Sequence, residues 1–344
     1  MAKAVRMQDI AEQVGVSVVT VSKALSGQRG MSEAMRRRII ETADAMGYVR
    51  GAVRRSHAHD ERTFRIGILV ADRYLDRYVS FYQNLQQLVA QELAAMDCAT
   101  LLEGVGDEAQ EKGTLPQIIM GGQVDGVILI GRLSDPILTA IHDSGIPHVY
   151  LDFSDHHYDE DAVVSDNYYG AYILTNYLFS LGHSRIGYVG TLLSTSSITD
   201  RYFGYRRALL EHACEAPDEW VIQDRDPVSG ELDEERYMRL PEDMPTAFVC
   251  NSDLTAALFI RKLRAHGYSV PEDISVVGYD NFIYPGLCNI EITTFDVDTR
   301  EMAYRAVHNL LHRLRGESYR RGVVIVGGRL IERDSAAAPS VAGR

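Results

Sequence analysis

Met7-Gln-Asp-Ile-Ala-Glu-Gln-Val-Gly-Val-Ser-Val-Val-Thr-Val-Ser-Lys-Ala-Leu25 reads as two short helices hinged at Gly15. In the first helix Ile10, Ala11 and Val14 recur at helical spacing and form one narrow apolar stripe. Gly15 ends it, because a left-handed turn residue is cheap only without a Cβ. Ser17 stands where an N-cap belongs, so the second helix starts there. That helix is roughly 13 Å long at 1.5 Å per residue, a length that suits groove insertion better than core building. Val21 and Leu25 anchor it, which leaves Ser17, Val18, Val19, Thr20, Ser22 and Lys23 facing outward or sideways. Val18 and Val19 are poor choices for a solvated surface but suit contact with thymine methyl groups. A third helix follows, capped by Ser32, with Ile39, Ile40, Ala43 and Met46 on its apolar face and Gly47 as its stop.

Charge divides the chain at the same place. Residues 1–66 carry 12 Lys and Arg against 7 Asp and Glu, a net of +5, and the remaining residues carry 23 against 41, a net of −18. The total of −13 hides a basic head that attracts phosphates, attached to an acidic body that is repelled by them. Arg36, Arg37, Arg38, Arg50, Arg54 and Arg55 are the phosphate-contact candidates. From Arg50 to Arg65 apolar periodicity is lost, which marks a linker. Its central piece, with Ala52, Arg55, Ser56 and His57, is expected to gain a helical turn or two only when DNA neutralises its arginines.

The remaining 280 or so residues alternate apolar runs with amphipathic stretches. Expected strands are Ile66 to Val70, Ala99 to Leu102, Gly126 to Ile130, His148 to Leu151, Arg185 to Val189, Ala247 to Cys250 and Ser275 to Tyr279. Expected helices include Phe81 to Met96, Tyr168 to Leu181, Arg201 to His212, Asp253 to Ala265 and Thr299 to Leu314. Continuous apolar strands separated by helices imply an α/β body with parallel sheets covered on both faces. The length favours two doubly wound subdomains over one.

Ligands of such sheets bind off the carboxyl ends of the strands. Asp72, Asp152, Asn251, Asp253, Asp280 and Asn281 fall there, and Arg201 adds a multidentate donor. Tyr74 and Tyr78 offer rings for stacking. Carboxylates and amides of this kind suit a hydroxyl-rich ligand, while an isolated one is as readily an N-cap. Enzyme signatures are missing: there is no Gly-rich phosphate loop after a strand, no His-Glu zinc pattern and no nucleophile elbow, so neither a cofactor nor a metal is expected. His183 follows a helix and reads as a turn stabiliser ahead of a catalytic base. Cys98, Cys214, Cys250 and Cys288 lack ligand spacing and fit a reducing compartment. With no long apolar run and no signal-peptide core at the N-terminus, a cytoplasmic location without membrane attachment is expected. A carbohydrate-binding protein or sugar-processing enzyme is the competing reading for the body alone, but it leaves the basic head without a use.

Asp9-Ile10-Ala11, Gly15-Val16-Ser17, Thr20-Val21-Ser22 and Gly47-Tyr48 in the head resemble the lactose-repressor/galactose-repressor family of bacterial regulators. The resemblance continues through Ser165 to Ala171, Leu181-Gly182-His183, the Arg201 to Leu210 stretch, Val270 to Asp280 and Thr293-Thr294, in the family's order. It implies a helix-turn-helix domain over about residues 1–50, a hinge over 51–63 and a periplasmic-binding-protein-like body over 64–334, with a flexible tail at 335–344. Three chain crossings are implied, with an N-subdomain of about 64–163 and 294–322 and a C-subdomain of about 164–293 and 323–334. It also implies a homodimeric repressor on a near-palindromic operator DNA, controlled allosterically by a small-molecule effector, most readily a mono- or disaccharide; a purine or phosphorylated effector is the alternative. By position, Val18, Val19 and Lys23 face bases and Ser17, Thr20 and Ser22 hold phosphates. Arg201, Asn251, Asp280 and Asp152 hold effector hydroxyls, and the loop from Asp72 to Tyr78 closes over them. Three positions depart from the family pattern. His57 stands where a leucine wedge is common, and Lys23 stands where arginine is frequent, which loosens the guanine contact. Asp224-Arg225-Asp226 replaces an aromatic platform, and this brings Asp226 into the effector set and points to a more polar, or a charged, ligand.

Overall fold

The computed structural model describes residues 7–17, 20–21, 24, 32–46, 63–75, 81–155, 157, 160–227, 229–282 and 286–340. The chain divides into two compact units, Met1–Glu61 and Arg62–Arg344.

In the first unit α1 (Met7–Val14) and α2 (Glu33–Ala45) pack with the helical residues Thr20, Val21 and Ala24. The shared core is Ile10, Ala11, Val14, Val21, Ala24, Ile39 and Ala43, all buried. Gly15 adopts φ +77° and its N–H closes back on the Ala11 carbonyl at 2.9 Å, which ends α1 where only glycine is unstrained. Ser17 Oγ accepts the Thr20 N–H at 3.1 Å, and Ser32 Oγ accepts that of Met35 at 3.3 Å, so both hydroxyls satisfy orphan donors at helix starts. Ile40, expected on the core face, is 39% exposed, because Ile39 and Ala43 already fill the contact.

The second unit holds two six-stranded sheets. The first comprises β1 (Arg65–Ala71), β2 (Ala99–Val105), β3 (Gly126–Ile130), β4 (His148–Leu151), β5 (Asp161–Ser165) and β11 (Val323–Val326), in the order β11-β5-β4-β3-β1-β2 and wholly parallel. The second comprises β6 (Ile186–Val189), β7 (Val221–Ile222), β8 (Ala247–Cys250), β9 (Ser275–Tyr279), β10 (Thr293–Val297) and β12 (Gly328–Ile331), in the order β12-β10-β9-β8-β6-β7. Only β12, at an edge, runs antiparallel to its neighbour. The helices between strands are α3 (Phe81–Ala95), α4 (Asp107–Lys112), α5 (Gln117–Met120), α6 (Asp135–Ser144), α7 (Asn167–Ser180), α8 (Ser196–Glu211), α9 (Glu234–Tyr237), α10 (Asp253–Ala265) and α11 (Thr299–Arg315).

Strands such as β1, β3 and β8 are buried along nearly their whole length because helices cover both faces. α3 supplies Phe81, Leu85, Val89 and Leu93, an unbroken i,i+4 stripe, and α11 supplies Met302, Ala306, Val307, Leu310 and Leu311. On the second sheet α7 and α8 pack against each other. Gly204 permits this, since a Cβ there would lie 2.0 Å from the Tyr168 carbonyl oxygen.

The chain passes between the sheets after β5, after β10 and after β11. Asp166 and Asp298 mark the first two passages, each carboxylate capping the helix that follows by accepting the Tyr169 and Glu301 N–H groups at 3.1 and 3.0 Å. The subdomain limits expected from sequence need correction here. β10, counted in the first subdomain from residue 294, belongs to the second sheet, where Phe295 packs on Tyr279, and β11, counted in the second from residue 323, pairs with β5 of the first. The expected tail is also not a tail over residues 335–340. Ser335 is fully buried, accepting the Thr293 N–H at 2.8 Å and donating to the Val276 carbonyl at 2.6 Å, and so continues the bonding of the second sheet. His183 ties the same region together, with Thr246 Oγ1 at 2.8 Å, Ser275 Oγ at 3.1 Å and the Ala337 carbonyl at 2.8 Å. Among the described residues no helix is long and apolar enough to cross a membrane.

Candidate effector cleft and DNA-facing head

Both sheets direct the carboxyl ends of their parallel strands at one cleft of about 1010 Å³. Tyr74, Asp152, Arg201, Asn251 and Asp280 line it together. Asp152 follows β4 at φ +66° and Asp280 follows β9 at φ +103°, positive-φ conformations at two strand ends that line the cleft.

Arg201, 5% exposed, is fixed from four directions. Its Nε donates to Asn167 Oδ1 at 2.8 Å, Nη1 donates to the Asn251 carbonyl, Nη2 lies 3.3 Å from Asp280 Oδ1, and the guanidinium sits 3.6 Å over the Tyr279 ring. It stands on α8, which starts at Ser196 because Thr195 Oγ1 accepts the Ile198 N–H at 3.2 Å, five residues ahead of the start expected from sequence.

Beside it Asp224 and Arg225 form a second closed network. Asp224 Oδ2 accepts from Arg225 Nη2 at 2.6 Å, from Asn251 Nδ2 at 2.7 Å and from Thr255 Oγ1 at 2.9 Å. Burial opposes the Asp224 charge, but the guanidinium and these hydrogen bonds override it and hold the carboxyl at about 2. Asn251 spends its amide here, also donating to the Val189 carbonyl at 3.0 Å, so it braces the wall more than it presents a group to a ligand.

Across the cleft Tyr82 donates to Asp152 Oδ2 at 3.1 Å and stacks on Tyr74 with centroids 4.5 Å apart. Asp152 is 7% exposed, and its Oδ1 is buried without a hydrogen-bond partner. Burial raises its pKa to about 6 against the pull of Arg201 and Tyr82. Asp280 is raised to about 7, by burial first, with Asp152 adding to it and Arg201 opposing.

Two expected effector residues stand apart. Asp72 opens a short 3-10 turn, is exposed, and directs its carboxylate at Gly104 and Gly106 beside β2. Asp226 accepts the Tyr237 hydroxyl at 2.7 Å and the Ser229 N–H at 2.9 Å, which shapes the loop above the cleft and keeps the side chain out of its lining. Tyr78 lies outside the described residues. The set expected from sequence omits Tyr82, Ser134, Thr195 and Ser197, which also line the cleft. Tyr82 has a usable signal, an aromatic in the first turn of the helix after β1; the hydroxyls have none. Of the DNA-facing set, Ser17 and Thr20 are described, their hydroxyls 2.9 Å apart, while Val18, Val19, Ser22, Lys23, Ala52, Arg55, Ser56 and His57 lie outside the described residues.

A capped helical head with an apolar core of its own thus precedes a two-sheet body with a polar cleft at its strand ends. Residues 6–51 match the model of bacterial regulatory proteins of the lacI family, and residues 175–336 match the periplasmic binding protein-like domain. Over 334 residues the chain is 27% identical to the HTH-type transcriptional repressor PurR of Aliivibrio salmonicida, covering 96% of this chain and 98% of that one. Among solved structures, the transcriptional regulator CelR in complex with cellobiose superposes with a TM-score of 0.67 at 24% identity, covering 96% of this chain and 99% of that one. The lac repressor dimer bound to operator and the anti-inducer ONPF superposes with a TM-score of 0.63 at 20% identity, covering 98% and 100%. The chain therefore carries a DNA-binding domain of the lacI type and a periplasmic-binding-protein-like domain, and the relatives it is similar to are transcriptional repressors, not enzymes.

Proposed function

We propose that the protein is a homodimeric repressor of a near-palindromic operator, released or engaged by a neutral, hydroxyl-rich effector, a mono- or disaccharide, held between Asp152 and Arg201–Asp280. The observation that carries the effector class is the bare, buried Asp152 Oδ1 in a cleft lined by eight carboxylates and three arginines. Arg201 and Arg225 are already paired with Asp280 and Asp224, so a phosphoryl group would meet surplus negative charge and guanidinium charge that is already neutralised on that wall, although Arg201 keeps N–H donors for a neutral hydroxyl. A sugar hydroxyl donates to Asp152 and accepts from Arg201, while Tyr74 and Tyr82 offer an apolar face to the ring. Two similar proteins support the reading: the CelR structure holds cellobiose, and the lac repressor structure is a dimer on its operator. In the head, Val18, Val19 and Lys23 read bases, Ser17, Thr20 and Ser22 grip phosphates, and Ala52, Arg55, Ser56 and His57 join as a hinge ordered by the duplex.

A thermal-shift screen of cellobiose and other mono- and disaccharides against the full chain, with purines and sugar phosphates as the opposing set, tests the effector class. The expected result is stabilisation by a neutral sugar. A shift produced only by the opposing set overturns it. The sugar so found is expected to change affinity for a duplex selected from random sequences by roughly 5- to 150-fold at fixed salt, a coupling of about 1 to 3 kcal/mol.

A further inference from the structure

At the opposite end of the first sheet, where the strands begin, His142 from the last turn of α6, His148 at the start of β4 and Glu160 just before β5 converge. Their nearest ligand atoms lie within 4.8 Å of one another. None of the three has a part in the cleft or the head.

His148 is the decisive residue. It is 1% exposed, and its Nδ1 lies 2.9 Å from the Ile146 carbonyl oxygen. A carbonyl only accepts, so Nδ1 carries a proton, and in the neutral ring this tautomer leaves Nε2 with its lone pair. That Nε2 is buried without a hydrogen-bond partner and faces Glu160 Oε1, another acceptor, at 3.9 Å. The distance is too long for a hydrogen bond, and two acceptors facing each other in a buried site are stabilised by a cation between them, a metal ion or a proton.

Glu160 is oriented for this. Arg313 and Arg321 both donate to its Oε2, the latter at 3.2 Å, which leaves Oε1 turned to the imidazoles, 3.4 Å from His142 Nδ1. Metal–ligand bonds of 2.0–2.2 Å in a tetrahedron put ligand atoms about 3.3 to 3.6 Å apart, close to the 3.4 Å between His142 Nδ1 and Glu160 Oε1, while the 3.9 Å from His148 Nε2 must shorten by a few tenths of an ångström around an ion. The backbone acceptor behind His148 and the guanidinium donors behind Glu160 are the kind of outer contacts that fix a ligand's tautomer and direction.

We propose that His142, His148 and Glu160 form a binding site for a divalent transition metal of the zinc class. Two imidazole nitrogens and one carboxylate suit zinc and exclude magnesium and calcium, which require oxygen. The side chain of His142 is 39% exposed, so the fourth position opens to water and the metal has an entry path. Bound there, it pins α6 to the leading ends of β4 and β5. The arginines that orient Glu160 also add positive charge beside the ion, which makes the site weaker than a closed four-ligand one.

Titration of the metal-free full-length chain with Zn²⁺ against a chromophoric chelator, and with Co²⁺ read by its ligand-field bands, tests the site. The expected result is one equivalent bound, with tetrahedral Co²⁺ bands. Affinity should fall tenfold or more in both His142→Ala and Glu160→Gln. His142→Ala lies at a part-exposed position and keeps the test open if Glu160→Gln fails to fold with Arg313 and Arg321 uncompensated. His308→Ala is the control, because His308 pairs with Glu92 at 3.2 Å on a different surface, and it should bind as the parent does. A parent chain that binds no Zn²⁺ overturns the proposal, as does parental affinity in His142→Ala or loss confined to His308→Ala.

Discussion

The wall of the cleft built on the second sheet carries more charge than the wall built on the first, yet it is the better satisfied of the two. Arg201 is held by Asn167, Asn251, Asp280 and the Tyr279 ring, and Arg225 by Asp224 with Asn251 and Thr255 beside it. The first-sheet wall has one buried carboxylate, Asp152, with a single hydrogen bond from Tyr82 and a bare oxygen. A wall whose groups are bonded to each other keeps its geometry whether or not a ligand is present; a wall with an unmet acceptor gains from a ligand that meets it. The second sheet therefore offers a fixed template, and the first offers the unmet acceptor that a ligand would satisfy.

The largest effect that tests this division is on stability. Asp224→Ala leaves the Arg225 guanidinium buried without its counter-charge and strips Asn251 and Thr255 of their acceptor, so the body should lose about 3 to 5 kcal/mol in denaturant unfolding. A loss below about 1 kcal/mol would show that the second wall is not the rigid one. Next comes Arg201→Lys, which keeps the charge but gives up the planar fork. Effector affinity by calorimetry should fall by about 1.5 to 3 kcal/mol, roughly 10- to 150-fold, with the fold retained. Affinity equal to the parent's would move the effector off the second wall.

Much of this asymmetry is legible in the amino-acid order alone. Asp152, Asn251 and Asp280 each follow a continuous apolar strand directly, and the ends of parallel strands are where ligands gather. Asp72 obeys the same rule and fails, because the turn after β1 points its carboxylate back at Gly104. In Asp224-Arg225-Asp226 the residue types show that a charged group replaces a ring, but burial, which selects Asp224 and Arg225 for the wall and sends Asp226 to Tyr237, depends on contacts with Asn251 and Thr255 far along the chain. The sheet membership of β10, β11 and β12 is hidden for a related reason. Each strand is short, β11 and β12 lie next to each other in sequence, and yet β11 pairs with the distant β5 while β12 pairs with β10, so local pattern carries no information on which sheet takes which. His142, His148 and Glu160 are equally hidden because no regular ligand spacing unites them; only the turns around β4 and β5 bring them together.

Asp152→Asn should act on both affinity and pH response. The Asp152 pKa is raised to about 6 from an ordinary value of 3.8, so the folded body binds this proton more readily than the unfolded chain does. Its contribution to stability is thus fully present below about pH 4 and lost as pH rises to about 6. Effector binding runs the other way, since a hydroxyl donates best to the ionised carboxylate, and affinity should rise over the same interval and then level off. The asparagine variant should flatten both curves in that window and weaken the effector about tenfold at neutral pH. An unchanged binding profile would leave Asp152 without a part in recognition.

The smallest effect, and the finest test of the first wall, is expected from Tyr82→Phe. The ring stays to stack on Tyr74, and only the hydroxyl 3.1 Å from Asp152 Oδ2 is lost, worth about 0.5 to 1.5 kcal/mol. That donor favours the ionised carboxylate, so its removal pushes the Asp152 pKa further up from about 6 and moves the rise in effector affinity to higher pH. Above that rise the variant should bind nearly as the parent does, because the effector still finds an ionised acceptor. A uniform loss of affinity at every pH would instead show that the Tyr82 hydroxyl contacts the effector itself, and the first wall would then hold two recognition groups where the structure has one bare oxygen.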